Sequence, residues 1–238
     1  MGNHKDLKPS QPWRQNHAFG RPTVAQLALP LLLTLLAFGL WCLPQLGIAL
    51  QLSQQLDWSR ADLLSGQWWR LFSGYLLHSN GAHLAMNVGA LWLIFGLHQP
   101  HYHWRTLLPL TLGLMLAISL FIGLAADQIE RYVGLSGLLH GLITWGAIKD
   151  IQRGWSSGWL LLLAIIAKVC WELTAGASAS TSALIEARVA VEAHGFGVLA
   201  ALLLSGFGCL GRAWQQHRML QRMATNPASK KPADDEQP

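Results

Sequence analysis

Charge is the scarcest feature of this sequence: 12% of its 238 residues are Asp, Glu, Lys or Arg, against 52% hydrophobic. A soluble globular domain carries about 25% charged residues, so the chain is not composed like one. Cysteine is scarce as well. Cys42, Cys170 and Cys209 all fall inside apolar runs. Their spacing offers neither a disulfide framework nor a metal site, and they read as small buried apolar residues. Acids are outnumbered, 12 to 17 Lys and Arg, for a net charge of +5. Such an excess can mark a nucleic-acid partner, but the positions of these charges exclude that class.

Apolar runs dominate what remains. They can be bounded at 24–48, 82–97, 106–125, 133–149, 157–171 and 188–210, and a stretch of about 20 apolar residues is what a bilayer core demands. The fourth and fifth are short, and the fourth opens on glycines, which is tolerable where protein or a water-filled cavity surrounds the segment. The first run follows 22 polar residues without a small-residue cleavage site, so it reads as a retained helix rather than a signal peptide. The expected architecture is an all-α membrane protein, a six-transmembrane-helix bundle over 23–211. Residues 1–22 and 212–238 would be polar tails, the second ending in Asp234-Asp235-Glu236 and expected to be disordered.

Basic residues orient such a bundle, because they concentrate on the cytoplasmic side. Lys5, Lys8, Arg14, Arg21, Arg105, Lys149, Arg153, Arg212, Arg218, Arg222, Lys230 and Lys231 all fall on one side of the six runs. The other side holds Arg60, Arg70, Arg131, Lys168 and Arg188, with Asp57, Asp62, Asp127, Glu130, Glu172, Glu186 and Glu192. Both termini are therefore expected in the cytoplasm of a bacterial inner membrane, with no nucleic-acid partner. The outer segment from about 50 to 80 is amphiphilic, with Trp58, Trp68, Trp69 and Tyr75 beside Arg60 and Arg70. Aromatic rings flanked by cations suit the membrane interface, so a helical hairpin in the outer leaflet is expected.

Polar groups at membrane depth are costly and are functional candidates by default. Gly134-Leu135-Ser136-Gly137 opens the fourth run, with His140 one turn further. Glycines beside a serine allow close backbone approach, and a helix N-terminus directs unsatisfied N–H groups at its surroundings, as an oxyanion requires. Alone, this pattern more often serves small-residue helix packing. In the sixth run stands Ala193-His194-Gly195-Phe196-Gly197. An imidazole there must find a polar partner, and it can serve as general base to the serine. Where the second run begins, His83 and Asn87 are four apart on one helix face with His78 just before them. The pair can donate hydrogen bonds to an oxyanion or glue helices together. Lys168 and Glu172, also four apart, read as a structural ion pair with Lys168 snorkelling outward. Glu192 is two residues from His194 and points elsewhere, so a serine–histidine dyad without a carboxylate is expected.

Together these residues resemble the rhomboid family of intramembrane proteases. The resemblance covers roughly 55–210 and rests on Trp69-Arg70, on His78, His83 and Asn87, on Gly134-x-Ser136-Gly137 and on Ala193-His194-x-x-Gly197. His140-Gly141 and the Ala167-Lys168-Val169-x-Trp171-Glu172 segment resemble the rhombosortase subgroup more narrowly; many other rhomboids carry a tyrosine where His140 stands. The resemblance implies peptide-bond cleavage in or near the membrane, with Ser136 as nucleophile and His194 as base. It implies an oxyanion site of the Ser136 backbone N–H, His83 and Asn87, supported by His78, His140, Gly134 and Gly197. The subgroup implies membrane-anchored substrates with a C-terminal Gly-Gly motif, an apolar helix and a basic tail, and an acyl-enzyme open to water or to an amine. No cofactor or metal is expected; a metal set of His78, His83 and His140 is disfavoured because His140 belongs lower on a different helix. The rivals are an inactive rhomboid relative that binds or chaperones membrane proteins, and a proton-relay transporter. The second lacks the internal repeat that transporters often show.

Overall fold

A computed structural model describes residues 20–48 and 51–225. Nearly all of the expected N-terminal tail, and the acidic end of the C-terminal one, lie outside them. Helix α1 (Val24–Gln45) starts at a capping box in which Thr23 and Gln26 bond reciprocally. The segment after it is folded into α2 (Leu52–Leu56), β1 (Trp58–Ser59), α3 (Arg60–Leu64) and α4 (Arg70–Ser73). Then come α5 (Gly81–His98), α6 (Trp104–Ala125), β2 (Arg131–Tyr132), α7 (Ser136–Gln152), α8 (Ser156–Ala175), α9 (Ala179–Ile185) and α10 (Val191–Thr225).

Among the described residues four helices are long and apolar enough to cross a membrane: α1, α5 with its extension to His101, α6 and α8. Helix α7, with 17 residues, and the apolar part of α10, Val191–Gly206, are shorter. The outward faces are apolar. On α6, Leu108, Leu112, Leu116, Leu120 and Leu124 form an exposed stripe at every fourth position. A continuous stripe of this kind is stable only against lipid or another apolar surface. The chain is an integral multi-pass membrane protein.

The inside is held by close backbone contact. Helix α7 packs chiefly on α10 and α8, and glycines make this possible. A Cβ on Gly137 would lie 2.9 Å from the Ala193 carbonyl oxygen, and one on Gly141 would lie 3.1 Å from that of Gly197. A Cβ on Gly197 would collide with the Gly137 carbonyl oxygen outright. The middle and far end of α7 are tied differently: the Tyr102 hydroxyl donates to the Leu142 carbonyl at 3.1 Å, and His101 Nε2 meets Asp150 Oδ1 at 2.6 Å.

The segment between α1 and α5 departs from the expected helical hairpin. Its three helices are of only five, five and four residues, and β1 pairs antiparallel with β2, Trp58 opposite Tyr132. Trp68 and Trp69 are exposed, as an interfacial role requires, but Trp58 and Tyr75 are fully buried. The Tyr75 hydroxyl donates to the Met115 carbonyl at 2.8 Å. These two rings belong to the core rather than to the interface. Arg70 is buried too, paired with Asp57 at 2.6 Å and Asp62 at 3.2 Å and donating to the Gln54 carbonyl at 2.8 Å. Arg60 donates to the carbonyls of Gly123 and Ala126 at 2.7 and 2.8 Å, capping the C-terminus of α6. At the other end of the chain α10 continues through residue 225, beyond the boundary expected at 211. From Arg212 to Thr225 there is neither glycine nor proline to stop it.

The α7–α10 contact makes a specific prediction. Gly197→Ala should cost about 1–3 kcal/mol through overpacking, read as a lower melting temperature in detergent. Gly89→Ala, whose Cβ would meet nothing within 4 Å, should leave stability unchanged or raise it by up to about 1 kcal/mol.

Candidate active site

Ser136 is the first residue of α7, and the turn before it is built so that only glycine fits. Gly134 has φ 109°, a conformation that L side chains rarely adopt. A Cβ there would also lie 2.7 Å from His83 Nε2. The backbone can therefore pass directly under the His83 ring. Tyr132 holds the turn in shape: its hydroxyl donates to the Gly134 carbonyl at 2.8 Å and accepts from the Gly137 N–H at 3.2 Å. Burial pushes this phenol up to about 12, so at neutral pH it keeps the proton that it donates. Tyr132 was not singled out from sequence, and a lone tyrosine two residues before a glycine carries no signal that would have done so.

His83 and Asn87 share the inner face of α5, as their spacing predicts. Asn80 caps this helix, its side chain accepting from the His83 N–H at 2.9 Å. The Asn87 amide donates to the His83 carbonyl at 3.1 Å. His83 Nδ1 is turned to Ser79, 3.1 Å from its Oγ and 3.4 Å from its N, which leaves Nε2 facing Gly134. His78 lies edge-on to His83, ring centroids 5.0 Å apart at 76°.

His194 and Ser136 line the same cavity, of about 430 Å³, together with His83, Asn87 and His140. His140 stacks flat on His194, centroids 4.1 Å apart and planes 14° from parallel. Its Nδ1 lies 2.8 Å from the Ser136 carbonyl oxygen, which can only accept, so Nδ1 carries the proton. Its Nε2 is then a free acceptor, and Lys168 Nζ approaches it at 3.1 Å.

One expectation fails here. His194 does meet a carboxylate: its Nδ1 lies 2.9 Å from Glu172 Oε2. The same carboxylate pairs through Oε1 with Lys168 at 2.7 Å. The ion pair read from the sequence exists, but it is one half of a bridge from α8 to α10. A signal was available, since an acid at membrane depth demands a partner and Lys168 could satisfy only one of its oxygens. Glu192 is turned away as expected, accepting from Gln128 and Arg188 at 2.8 Å each.

A metal set is not formed by His78, His83 and His140. Among the described residues the donors that approach one another are those of His140, Glu172 and His194, all within 4.8 Å. Lys168 already supplies a cation beside two of the three.

The rhomboid-domain family model matches residues 65–210. The chain belongs to the rhomboid family. Rhomboid proteases act on membrane-protein substrates within the bilayer, and the family also has inactive members. No curated protein matches the chain at a significant level. The match takes in Trp69-Arg70, every candidate site residue and the whole of α5 to α9.

His78 yields a prediction. Burial lowers its pKa from the ordinary 6.5 to about 4, with the neighbouring His83 ring adding to the effect. A histidine whose folded value lies below its unfolded one contributes stability fully above about pH 6.5, and loses it as the pH falls toward the folded value. The melting temperature of the native protein in detergent should therefore drop more between about pH 7.5 and about pH 5 than that of His78→Phe, which has no proton to take up.

Proposed function

We propose that this rhomboid is an active intramembrane serine endopeptidase with Ser136 as nucleophile and His194 as general base. The observation that carries the reading is the convergence on one cavity: Ser136 at a helix start, His194 lining the same space, and His83 Nε2 and Asn87 Nδ2 facing Gly134 from a third helix. As Ser136 Oγ adds to the scissile carbonyl, its proton passes to His194 Nε2. The carbonyl oxygen, now negative, meets the Ser136 N–H and the side chains of His83 and Asn87. Collapse of this intermediate breaks the peptide C–N bond while His194 returns the proton to the leaving amine. Water, activated by the same imidazole, then releases the acyl group.

The fuller picture is a six-helix bundle over 23–211, with α7 and the apolar part of α10 as the two spans beyond the four long ones. Both termini lie in the cytoplasm and the site opens to the periplasmic side of a bacterial inner membrane. The substrates are membrane-anchored proteins of the rhombosortase kind, with a Gly-Gly motif before an apolar helix and a basic tail. The His140 position and the Lys168–Glu172 segment support this narrower reading, and an inactive, substrate-binding relative is the alternative.

A fluorophosphonate probe on the purified protein tests the nucleophile and the base. Labelling is expected for the native chain, none for Ser136→Ala and a strong loss for His194→Ala. Labelling of Ser136→Ala equal to native would overturn the assignment, and no labelling of the native chain would favour the inactive relative. Co-expression with a Gly-Gly-tailed substrate should give a shortened product only with active enzyme; equal processing with Ser136→Ala removes the subgroup reading.

A further inference from the structure

Two imidazoles, a carboxylate and an ammonium meet in the lining of the Ser136 cavity, and the dyad uses only one of the four. Their proton arrangement is fixed by their partners. Glu172 divides its two oxygens, Oε1 to Lys168 at 2.7 Å and Oε2 to His194 Nδ1 at 2.9 Å. An ionised carboxylate only accepts, so Nδ1 carries the proton and the lone pair of His194 is left on Nε2, the nitrogen a base needs. His140 donates from Nδ1 to the Ser136 carbonyl and accepts at Nε2 from Lys168. It is thereby held neutral while it lies flat against His194, where a second positive ring would oppose the first.

We propose that Glu172 is a positioning residue for His194, and that Lys168 holds Glu172 and His140 in the arrangement this requires. The inference rests on the dyad assignment above. Glu172 keeps one tautomer of His194 and one ring orientation, and it faces the positive charge that the imidazole gains when it takes the Ser136 proton. The Nδ1 proton stays on nitrogen throughout. Lys168 explains how an acid can remain ionised at this depth, since a lone carboxylate in apolar surroundings would neutralise instead. It also accounts for the metal-like spacing of His140, Glu172 and His194: the cation that such a donor set suits is part of the chain. The side-chain exposures agree with these roles, 6% for His194, 16% for Glu172 and 50% for Lys168.

The test is steady-state cleavage of a membrane-anchored model substrate in detergent or liposomes, with melting temperatures alongside. Glu172→Gln keeps the size but can present an amide N–H to Nδ1 and favour the wrong tautomer. Its kcat should fall about 100-fold or more with KM within about two-fold, because the lost interaction is made in the transition state. Glu172→Asp should recover part of that loss. Lys168→Met should fall between the two. Were Glu172→Gln not to fold, Glu172→Asp decides: a reach shorter by one methylene should cost about ten-fold in kcat at unchanged KM. A folded Glu172→Gln within about three-fold of native, or Glu172→Asp at the native rate, overturns the proposal, provided Ser136→Ala and His194→Ala are inactive. Activity surviving in either of those two would instead bring down the dyad assignment itself.

Discussion

Everything at the centre of this protein depends on three glycines that let α7 and α10 touch backbone to backbone. Gly137 and Gly141 on one helix and Gly197 on the other leave no room for a Cβ. Without a hydrophobic driving force between helices in lipid, such contact is a main source of association. It also shapes the candidate site. Ser136 sits at the start of α7 and His194 one turn before Gly197 on α10, so the approach that packs the helices is the one that brings the two side chains to a single cavity.

Around that contact, several polar groups are provided for in pairs rather than singly. Tyr132 fastens the Gly134 turn at both its carbonyl and the Gly137 N–H. Glu172 spans α8 and α10, with Lys168 closing the set onto His140. Asp57 accepts from both Arg70 and Arg131, at 2.6 and 2.7 Å, so the short helices between α1 and α5 are clamped to β2 and hence to the turn that presents Ser136. Removing one partner of a buried pair leaves an uncompensated charge, which ties the geometry of the site to the integrity of segments that never touch it.

The long apolar helices were legible because lipid exposure is written in composition: α5 and α6 fall within two residues of their expected bounds. The start of α7 was expected at 133 and lies at 136, because Gly134 with φ 109° cannot be helical. The end of α10 was missed for the opposite reason, since hydropathy marks where apolar sequence stops and not where a helix does. His83 with Asn87, and Ser136 with His140, share the helix faces that their spacing implies, because helical spacing fixes faces within one element. Glu172 and Tyr132 were not legible in this way. The Glu172–His194 contact crosses 22 residues and two helices, and nothing periodic records it. Trp58 and Tyr75 failed as interface residues because aromatic composition is the same in a core and at a headgroup layer; only the β1–β2 pairing and the Met115 carbonyl tell them apart.

The length of α7 has a consequence for where a substrate is cut. Seventeen helical residues rise about 25 Å at 1.5 Å each, short of a hydrocarbon core of about 30 Å. One end of α7 carries Lys149 and Asp150, with Arg153 just beyond and His101 gripping Asp150, charges that suit a polar boundary. With α7 upright in the bilayer, the other end, carrying Ser136, would stop a few ångströms inside the opposite boundary. On the assignment of Ser136 proposed above, a scissile bond would reach the nucleophile by sinking slightly below the headgroups, and the depth of the cut would follow from how many residues separate Ser136 from Asp150.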